Sequence, residues 1–559
     1  MPMRRFVVSL LLLASPLPAV AAPAPPIAAA PASTHAQLVA LFNDWRAFNQ
    51  PALVRRVADY GPAAIAAKAD GLARFKARLA AVDLSSASLS DRNDARLIGA
   101  EMNGLDFFLR VLKPWERDPT FYANVFAEMS DVPAHEGPSA QPNIDLWTYR
   151  FPLSKADDAK LAAQLGAVPA LLEAAKANLA PSTAHDFWTY GDRAFTEQAE
   201  ALAAWQKGEL GLRDLDGVRS VSLKGASPAL LKAVEQARAA SAAFADWVRA
   251  EAPRHQGPSG VGKENYDWYL KNVLLSPYTL DEQKVLLQRE LDRSLASLRL
   301  EESRNRAAPP IAEVSDPAAY FARSQARADE LYRLWVDTGV ISDKPYFRSA
   351  LLAQLNPYTP PAQRNFFTHV TALDVVPLSS HQFHWIELAR MKHEPNANPI
   401  RAVAPLFNNY SDRSEGFATA MEEVAMQQGV YDSLPHGREL VWALLANRAA
   451  RGLASLRVQA NEIGLDEAGK FHAAWTPRGW SDAKSKLVGF EQLLYARQPG
   501  YGPSYIIGKL ALDRMLADAS HQADVGGKPF DLKRTFDAIY AAGIVPIAIV
   551  ESELPDRLR

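Results

Sequence analysis

The sequence predicts a mainly α-helical fold, in which a large helical body forms a cleft and short strands are few. Apolar residues recur every three or four positions in several long segments, which is typical of amphipathic helices. Apolar residues make up 48% of the 559 residues and charged residues 22%, the proportions of a soluble globular chain. This length allows two to four domains or one large helical unit.

Charge and cysteine content exclude several classes of function. The chain has 61 basic and 63 acidic residues, so it has no basic excess to neutralise phosphates, and nucleic acid is not expected as a partner. It contains no cysteine, which excludes disulfides, thiolate nucleophiles, iron–sulfur clusters, Cys-bound zinc and a lipid anchor on cysteine. Composition alone does not identify an activity.

The N-terminal residues are typical of a cleaved secretory signal. Two arginines precede an apolar run over residues 6–13, and residues 19–21 are the small residues that a signal peptidase accepts. The run is too short to span a membrane, although an N-terminal anchor helix is the alternative. We expect residues 1–21 to be a signal peptide, residues 22–33 an Ala/Pro tether, and the mature protein to be periplasmic or secreted, with no membrane span.

Helical periodicity continues along the rest of the chain. Ser33 and Thr34 can cap the first helix. A second segment covers 158–180, where Pro169 should kink or split the helix. A third helix begins with a capping-box-like pair, Thr279 and Gln283. The third helix is predicted over 278–303, and two further helices are predicted over 415–428 and 438–460.

The best strand signal is the apolar run over 543–550, which Pro546 weakens. Pro/Gly-rich breaks are candidate boundaries between helical parts. We expect an N-terminal helical part over 34–255 and a C-terminal helical part over 256–559, packed as one cleft-forming body. The breaks lie near 131–142, 252–262 and 307–317.

Residues 257–263 match the spacing of a phosphate-binding loop, with glycines at both ends of a four-residue gap and then Lys263. The next residue is Glu264, where such a loop needs Ser or Thr to hold magnesium, and its carboxylate would repel phosphate. No strand precedes the loop. We therefore interpret this segment as a loop between helices.

Two groups of polar residues lie in the C-terminal part. His381 and His384 are spaced to lie on adjacent helical turns as a metal pair, although the same spacing also occurs in polar networks beside aromatic packing. Glu415 opens a helix with Glu422 two turns further along the same face. Stabilisation of a carboxylate by the helix dipole is the simpler interpretation, and a carboxylate in a cleft is the alternative.

Several motifs in this half of the chain resemble those of the DUF885 family, which is similar to helical zinc metallopeptidases. Residues 262–270 read GKENYDWYL and residues 278–282 read YTLDE. Residues 415–418 read EGFA, similar to the EGWA motif of the family, and residues 498–509 read QPGYGPSYIIGK, similar to PGQALSYxxGK. With the helical segment from 151 to 179, the resemblance covers roughly residues 140–520 and implies a zinc-peptidase-like fold with a deep groove.

The chain departs from this pattern where the family has its hallmark, HExxPGHHxQ. The best counterpart is 373–382, LDVVPLSSHQ. Leu373 and Ser379 stand where the family has zinc-binding histidines, and Asp374 stands where it has the general-base glutamate. Of the three ligands that the resemblance implies, only Glu415 remains. Since Leu donates no lone pair and neutral Ser is a poor zinc ligand, we predict that this family zinc site is lost and that no cofactor is bound.

Three hypotheses follow for function. The groove could bind a peptide or small molecule without catalysis. It could instead be a metal-independent hydrolase or lyase, with His381 or His384 as base, Asp374 or Glu415 as orienting group, and Tyr505 as hydrogen-bond donor. The third is a zinc-dependent, peptidase-like hydrolase with a rearranged site made of His381, His384 and Glu415. The sequence leaves the oligomeric state open.

Overall fold

The computed structural model describes residues 33–130 and 142–559, and within them the fold is mainly α-helical, as predicted. The expected signal peptide, the tether up to residue 32, and the break at 131–141 lie outside the described residues. No helix among the described residues is long and apolar enough to cross a membrane. The division of the chain at residue 255 stays a prediction.

The helices of the first half of the chain, to residue 305, are bounded as follows. They are α1 (Thr34–Asn49), α2 (Pro62–Ala80), α3 (Leu89–Phe107), α4 (Pro114–Arg117), α5 (Lys155–Leu165), α6 (Val168–Asn178), α7 (His185–Thr189), α8 (Asp192–Lys207), α9 (Pro228–Glu251), α10 (Lys263–Asn272) and α11 (Leu280–Asn305).

The helices of the second half, and the strands, complete the fold. The helices are α12 (Pro317–Asp337), α13 (Pro345–Leu352), α14 (Phe366–Leu373), α15 (Val376–His381), α16 (Phe383–His393), α17 (Phe417–Gln427), α18 (Gly437–Gln459), α19 (Leu465–Trp475), α20 (Lys486–Arg497), α21 (Tyr501–Val525), α22 (Leu532–Ala541) and α23 (Ile547–Arg557). Within the described part of the chain the strands form three two-stranded sheets: β1 (Leu53–Val54) with β2 (Val57–Ala58), β3 (Val125–Phe126) with β4 (Ile144–Asp145), and β5 (Leu210–Asp214) with β6 (Gly217–Val221).

The predicted helix starts and breaks are largely confirmed. The Ser33 hydroxyl accepts from the Ala36 N–H at 3.2 Å and caps α1. The segment 158–180 is split into α5 and α6, and Pro169 lies in the first turn of α6, where its missing N–H costs nothing. The capping box of α11 pairs Thr279 with Glu282, three residues on, and not with Gln283.

The predicted strand over 543–550 is wrong. Pro546 is the N-cap residue of α23, which begins at Ile547. Ile547, Val550 and Leu554 are buried at helical spacing. A short apolar run has no periodicity that separates a strand from a buried helix, and here proline begins the helix.

Residues 257–262 form a loop that leads into α10, as interpreted from the sequence. Gly262 has a φ of 82°, a conformation that favours glycine. Lys263, the lysine of the phosphate-loop-like pattern, lies 2.5 Å from the Asp281 carboxylate. Its ammonium group is therefore bound to a carboxylate of the same chain.

The core of the C-terminal part is built around α18, which is buried on almost all sides. It packs against α11, α17, α19, α20 and α21, as expected for a helix without a polar face. A π-helical turn over 412–416 precedes α17 and lies against α21. A Cβ atom on Gly416 would lie 2.3 Å from Gly508 Cα, so two glycines allow this close approach and bring Glu415 next to α21.

Candidate metal centre

Three side chains from separate elements converge beside the buried helix α18. They are His381 at the end of α15, His384 in the first turn of α16, and Glu415 in the π-helical turn. One ligand atom from each residue lies within 4.8 Å of the other two. His384 and Glu415 are buried, and the side chain of His381 is 14% exposed.

The local backbone explains how two histidines so close in sequence face the same point. We expected them on adjacent turns of one helix, but Gln382 (φ −64°, ψ 12°) separates α15 from α16. The two imidazole rings are therefore perpendicular, at 89°, with their centroids 5.0 Å apart. The break turns the rings toward a shared point instead of stacking them along one helix face.

Each of the two imidazoles directs its Nε2 atom at the same oxygen of Glu415. Nε2 of His384 lies 3.1 Å from Glu415 Oε2, and Nε2 of His381 lies 3.3 Å from it. The other nitrogen of each ring faces a different oxygen. His384 Nδ1 lies 3.2 Å from the Ser414 hydroxyl, and His381 Nδ1 lies 3.0 Å from Glu422 Oε1.

The remaining oxygen of Glu415 is held by a tyrosine. The Tyr501 hydroxyl donates to Glu415 Oε1. Burial alone would raise the pKa of Glu415, but the charges and hydrogen bonds of His384 and His381 outweigh it and hold that pKa well below its ordinary value. Glu415 is therefore a carboxylate at neutral pH, with one oxygen fixed by Tyr501 and the other directed at the imidazoles.

A second layer of buried charges surrounds these residues. Arg448 binds Glu422, and Arg451 binds Glu491. The ring of Tyr505 lies between His381, at 5.9 Å between centroids and 13° between planes, and the guanidinium of Arg451, which is 4.2 Å from the Tyr505 centroid. Burial raises the pKa of Tyr505 well above its ordinary value, so its hydroxyl keeps its proton at neutral pH.

The donor set matches that of a catalytic zinc site. Two imidazole nitrogens and one carboxylate oxygen are a recurring composition of such sites, with a further position left for substrate. Ligands at 2.0–2.1 Å from a tetrahedral ion lie about 3.3 Å from each other, and the two nitrogen–oxygen separations here are 3.1 and 3.3 Å. The donor types and these two separations are therefore compatible with a zinc ion.

The charge around the three ligands also favours a cation. The buried carboxylates are those of Glu415, Glu422 and Glu491, and the buried guanidinium groups are those of Arg448 and Arg451. Before the two imidazoles are counted, the three carboxylates outnumber the two guanidinium groups by one. Buried charges are costly unless they are compensated, and either a protonated imidazole or a cation between the ligands supplies that compensation.

Four of the five site residues expected from sequence come together, and Asp374 does not join them. Its carboxylate is bound by Arg327, with Nε at 3.2 Å from Oδ1 and NH2 at 2.8 Å from Oδ2. Asp374 also follows α14 directly, where its Oδ1 lies 3.4 Å from the Val376 N–H. The structure therefore gives Asp374 an ion pair with α12 in place of a position beside His381.

Sequence reasoning singled out Glu422 and Tyr505 but missed the other residues around the three ligands. The positions of Ser414 and Glu491 in the sequence form no pattern that would identify them as neighbours of the candidate metal centre. Arg448 and Arg451 could have been noticed, because they stand three residues apart in a segment that is otherwise apolar. Arginine is almost never fully buried unless it is paired, so this pair predicts buried carboxylates nearby.

A cavity of about 910 Å³ lies beside the segment that carries the two histidines, and the three candidate ligands themselves do not line it. It is bordered by Gln382, which lies between the two histidines in sequence, and by Trp385, which follows His384. Its far wall comes from the N-terminal part of the chain and from the loop after α13. Residues of these walls include Trp147, Arg213, Gln354 and Asn356.

Comparison with known proteins adds the family and the fold. The model of a family described as "Bacterial protein of unknown function (DUF885)" matches residues 49–341. That range ends before the candidate metal centre, so the resemblance of 373–382 to a metallopeptidase motif stays a prediction. None of the functionally curated proteins has a significant match to this chain.

Two solved structures share the fold. One is a predicted lipoprotein of unknown function from Shewanella oneidensis, with 13% identity and a TM-score of 0.65. The other is a predicted lipoprotein from Colwellia psychrerythraea, with 15% identity and the same TM-score. In both comparisons, 94% of this chain is aligned with 100% of the other. Because the sequence identity is this low, the two comparisons show a shared fold and nothing more.

Proposed function

The chain belongs to the DUF885 family of bacterial proteins of unknown function, and we propose that it is a metal-dependent hydrolase. Zinc is held by His381, His384 and Glu415, as in the third hypothesis drawn from the sequence. The observation that carries the proposal is the approach of both Nε2 atoms to one oxygen of Glu415. A zinc ion in such a site supplies Lewis acidity to the bond that is broken.

The residues of the chain itself bind and orient. Tyr501 fixes one oxygen of Glu415, which leaves the other directed at the ion. Three protein ligands leave a position open to a substrate, which is the arrangement of catalytic zinc sites and not of structural ones. The loss of the histidines at the positions of Leu373 and Ser379 stays a prediction, and a site built from His381 and His384 does not need them.

The adjoining cavity is the binding site for the substrate in this proposal. Arg213 contacts Gln354 at 3.4 Å and Glu128 at 3.8 Å, and both distances are long for a hydrogen bond. Its guanidinium group is therefore suited to bind a carboxylate on the ligand. Aromatic and amide side chains of the same cavity suit a peptide or a similarly sized small molecule.

We place this activity outside the cytoplasm. The N-terminal pattern of a positive region, a short apolar run and small residues supports secretion. Two relatives of the same fold are predicted lipoproteins, which is compatible with a periplasmic or secreted location.

A metal-independent acid–base enzyme is the second candidate. The contacts of 3.1 and 3.3 Å between the imidazoles and Glu415 are also hydrogen-bond distances. A carboxylate that orients a neutral imidazole makes a competent base near pH 7. A binding protein without catalysis is the third possibility, and the same experiment separates all three.

The test is hydrolysis of a panel of dipeptides and aryl esters by zinc-loaded and chelator-treated protein. We expect turnover only with zinc, loss of turnover in His384→Ala, and normal turnover in His369→Ala, whose ring stacks on Trp480. Turnover that resists the chelator and fails in His384→Ala would establish the second candidate. Thermal stabilisation by a panel compound without turnover would establish a binding protein.

A further inference from the structure

Glu422 lies on α17, two turns after Glu415 of the preceding π-helical turn, and its carboxylate faces the outer side of the His381 ring. Glu422 Oε1 is 3.0 Å from His381 Nδ1, while Nε2 of the same ring faces Glu415. We propose that Glu422 is a positioning residue: it holds the proton of His381 on Nδ1, so that the lone pair of Nε2 is directed into the metal centre. This inference rests on the proposed function.

The carboxylate is held rigidly enough to impose an orientation. Arg448 NH1 donates to Glu422 Oε2 at 2.7 Å, and Arg448 NH2 lies 2.5 Å from Glu422 Oε1. The side chains of both residues are at most 1% exposed. One hydrogen bond and one further close contact from the same guanidinium group restrain the carboxylate, which limits the rotation of Glu422 away from the imidazole.

The alternative tautomer of His381 is disfavoured by this arrangement. A neutral imidazole carries a single proton. With that proton on Nε2, the lone pair of Nδ1 would face the Glu422 carboxylate at 3.0 Å, which is closer than Nε2 lies to Glu415, at 3.3 Å. Within the described residues His381 Nδ1 makes no hydrogen bond to any other group, and the oxygen that faces it, at 3.0 Å, is Glu422 Oε1, which Arg448 NH2 also contacts.

A carboxylate behind a metal-binding histidine has a recognised effect. It fixes the tautomer and raises the basicity of the ligand, and its removal costs 10–100-fold in metal affinity. If Glu422 served only to neutralise the charge of Arg448, it would not need to contact the imidazole. The side chain of His381 is the most exposed of the three ligands, so it has the most need of a fixed orientation.

The first experiment measures the zinc dissociation constant of Glu422→Gln. We expect zinc to bind 10–100-fold more weakly than to the wild type, because a neutral amide no longer favours a proton on Nδ1. Glu423→Gln is the matched control: Glu423 is the next residue, binds Arg293 and Lys509, and should change the dissociation constant less than twofold.

A double-mutant cycle tests whether Glu422 acts through His381. In the His381→Ala background, Glu422→Gln should leave the weakened zinc affinity unchanged, because the ring that it orients is absent. Circular dichroism of each variant shows that it is folded. An equal loss in both backgrounds, or an equal loss in Glu423→Gln, would overturn the proposal.

The second experiment does not depend on metal binding. ¹⁵N NMR of histidine-labelled protein, with the His381 signal assigned from His381→Ala, reports which ring nitrogen is protonated. We expect Nδ1 of His381 to carry a proton in the metal-free wild type, and the population with a proton only on Nε2 to rise in Glu422→Gln. An unprotonated Nδ1 in the wild type would overturn the inference even if zinc binds. A protonated Nδ1 in a protein that binds no zinc would contradict the proposed function but not the effect of Glu422 on the proton of His381.

Discussion

The Tyr501 hydroxyl donates to Oε1 of Glu415, while Oε2 of the same carboxylate faces His381 and His384. Tyr501 is the first residue of α21, directly after Gly500, which has a φ of 86°. The turn at this glycine sets the direction in which the Tyr501 ring enters the core. One hydroxyl group therefore decides which oxygen of Glu415 is free to bind an ion.

Removal of this hydroxyl should loosen the carboxylate. We expect Tyr501→Phe to keep the fold and to bind zinc about 10-fold more weakly, since groups that orient a ligand contribute at least that much. Isothermal titration calorimetry measures the affinity. Tyr266→Phe is the control, because Tyr266 is also buried and its hydroxyl contacts Gln283. Equal zinc affinities for Tyr501→Phe and the wild type would show that Glu415 needs no such support.

Arg213 should determine preference for a carboxylate-bearing substrate. For a substrate identified in the dipeptide panel, we expect Arg213→Gln to raise KM about 10-fold or more, because a charge-assisted hydrogen bond is worth roughly 1.5–3 kcal/mol. The value of kcat should change little. Arg193→Gln is the matched control, since Arg193 lines the same cavity but is bound by Glu197 at 2.6 Å. A similar KM for both variants would show that Arg213 does not bind the substrate.

Arg401 should be essential for stability. It is buried and binds Asp94, at 2.7 Å from α3, and Glu553, at 2.6 Å from α23. Arg401→Met leaves the buried Asp94 without a cationic partner and Glu553 with Arg557 alone, which should lower the free energy of unfolding by about 3–5 kcal/mol. Urea unfolding measures the change. Lys470→Met, which breaks an exposed pair with Asp466, should cost less than about 1 kcal/mol; equal losses for the two variants would refute this account.

His472 should make the protein sensitive to mild acid. Burial lowers its pKa to about 3, whereas in the unfolded chain it is about 6.5. Between these values the unfolded state binds the additional proton, so stability falls as the pH is lowered through this window. At pH 5, protonation of His472 in the unfolded chain lowers the free energy of unfolding by about 2 kcal/mol relative to neutral pH. Urea unfolding of His472→Gln between pH 7 and pH 5 should show a weaker pH dependence than the wild type, and parallel curves would exclude His472 as the cause.

The helices could be predicted from sequence because their signals are local. Ser33 and Thr279 cap helices through their own side chains, and Pro169 lies in the first turn of α6, just after the break that separates it from α5. The run over 543–550 failed because its eight residues hold too little periodicity, and Pro546 is equally compatible with a weak strand and a helix start.

The site could be predicted only in part, for a different reason. His381, His384 and Glu415 were candidates because imidazoles and carboxylates can bind metals, but their convergence depends on the break at Gln382 and the π-helical turn over 412–416. Neither feature has a sequence signal that fixes the direction of a side chain. Asp374 was a candidate through the resemblance of 373–382 to a family motif, and its ion pair with Arg327 on α12 is a long-range contact that the motif does not contain.

The central claim is that His381, His384 and Glu415 together hold a divalent cation, and the most direct measurement is the zinc content of purified protein. The protein is loaded with zinc, dialysed against metal-free buffer and analysed by mass spectrometry of its metals, beside folded His384→Ala and Glu415→Gln variants. We predict one zinc per chain in the wild type and a small fraction of that in each variant. A wild type that retains no zinc, or variants that retain as much as the wild type, would contradict the account.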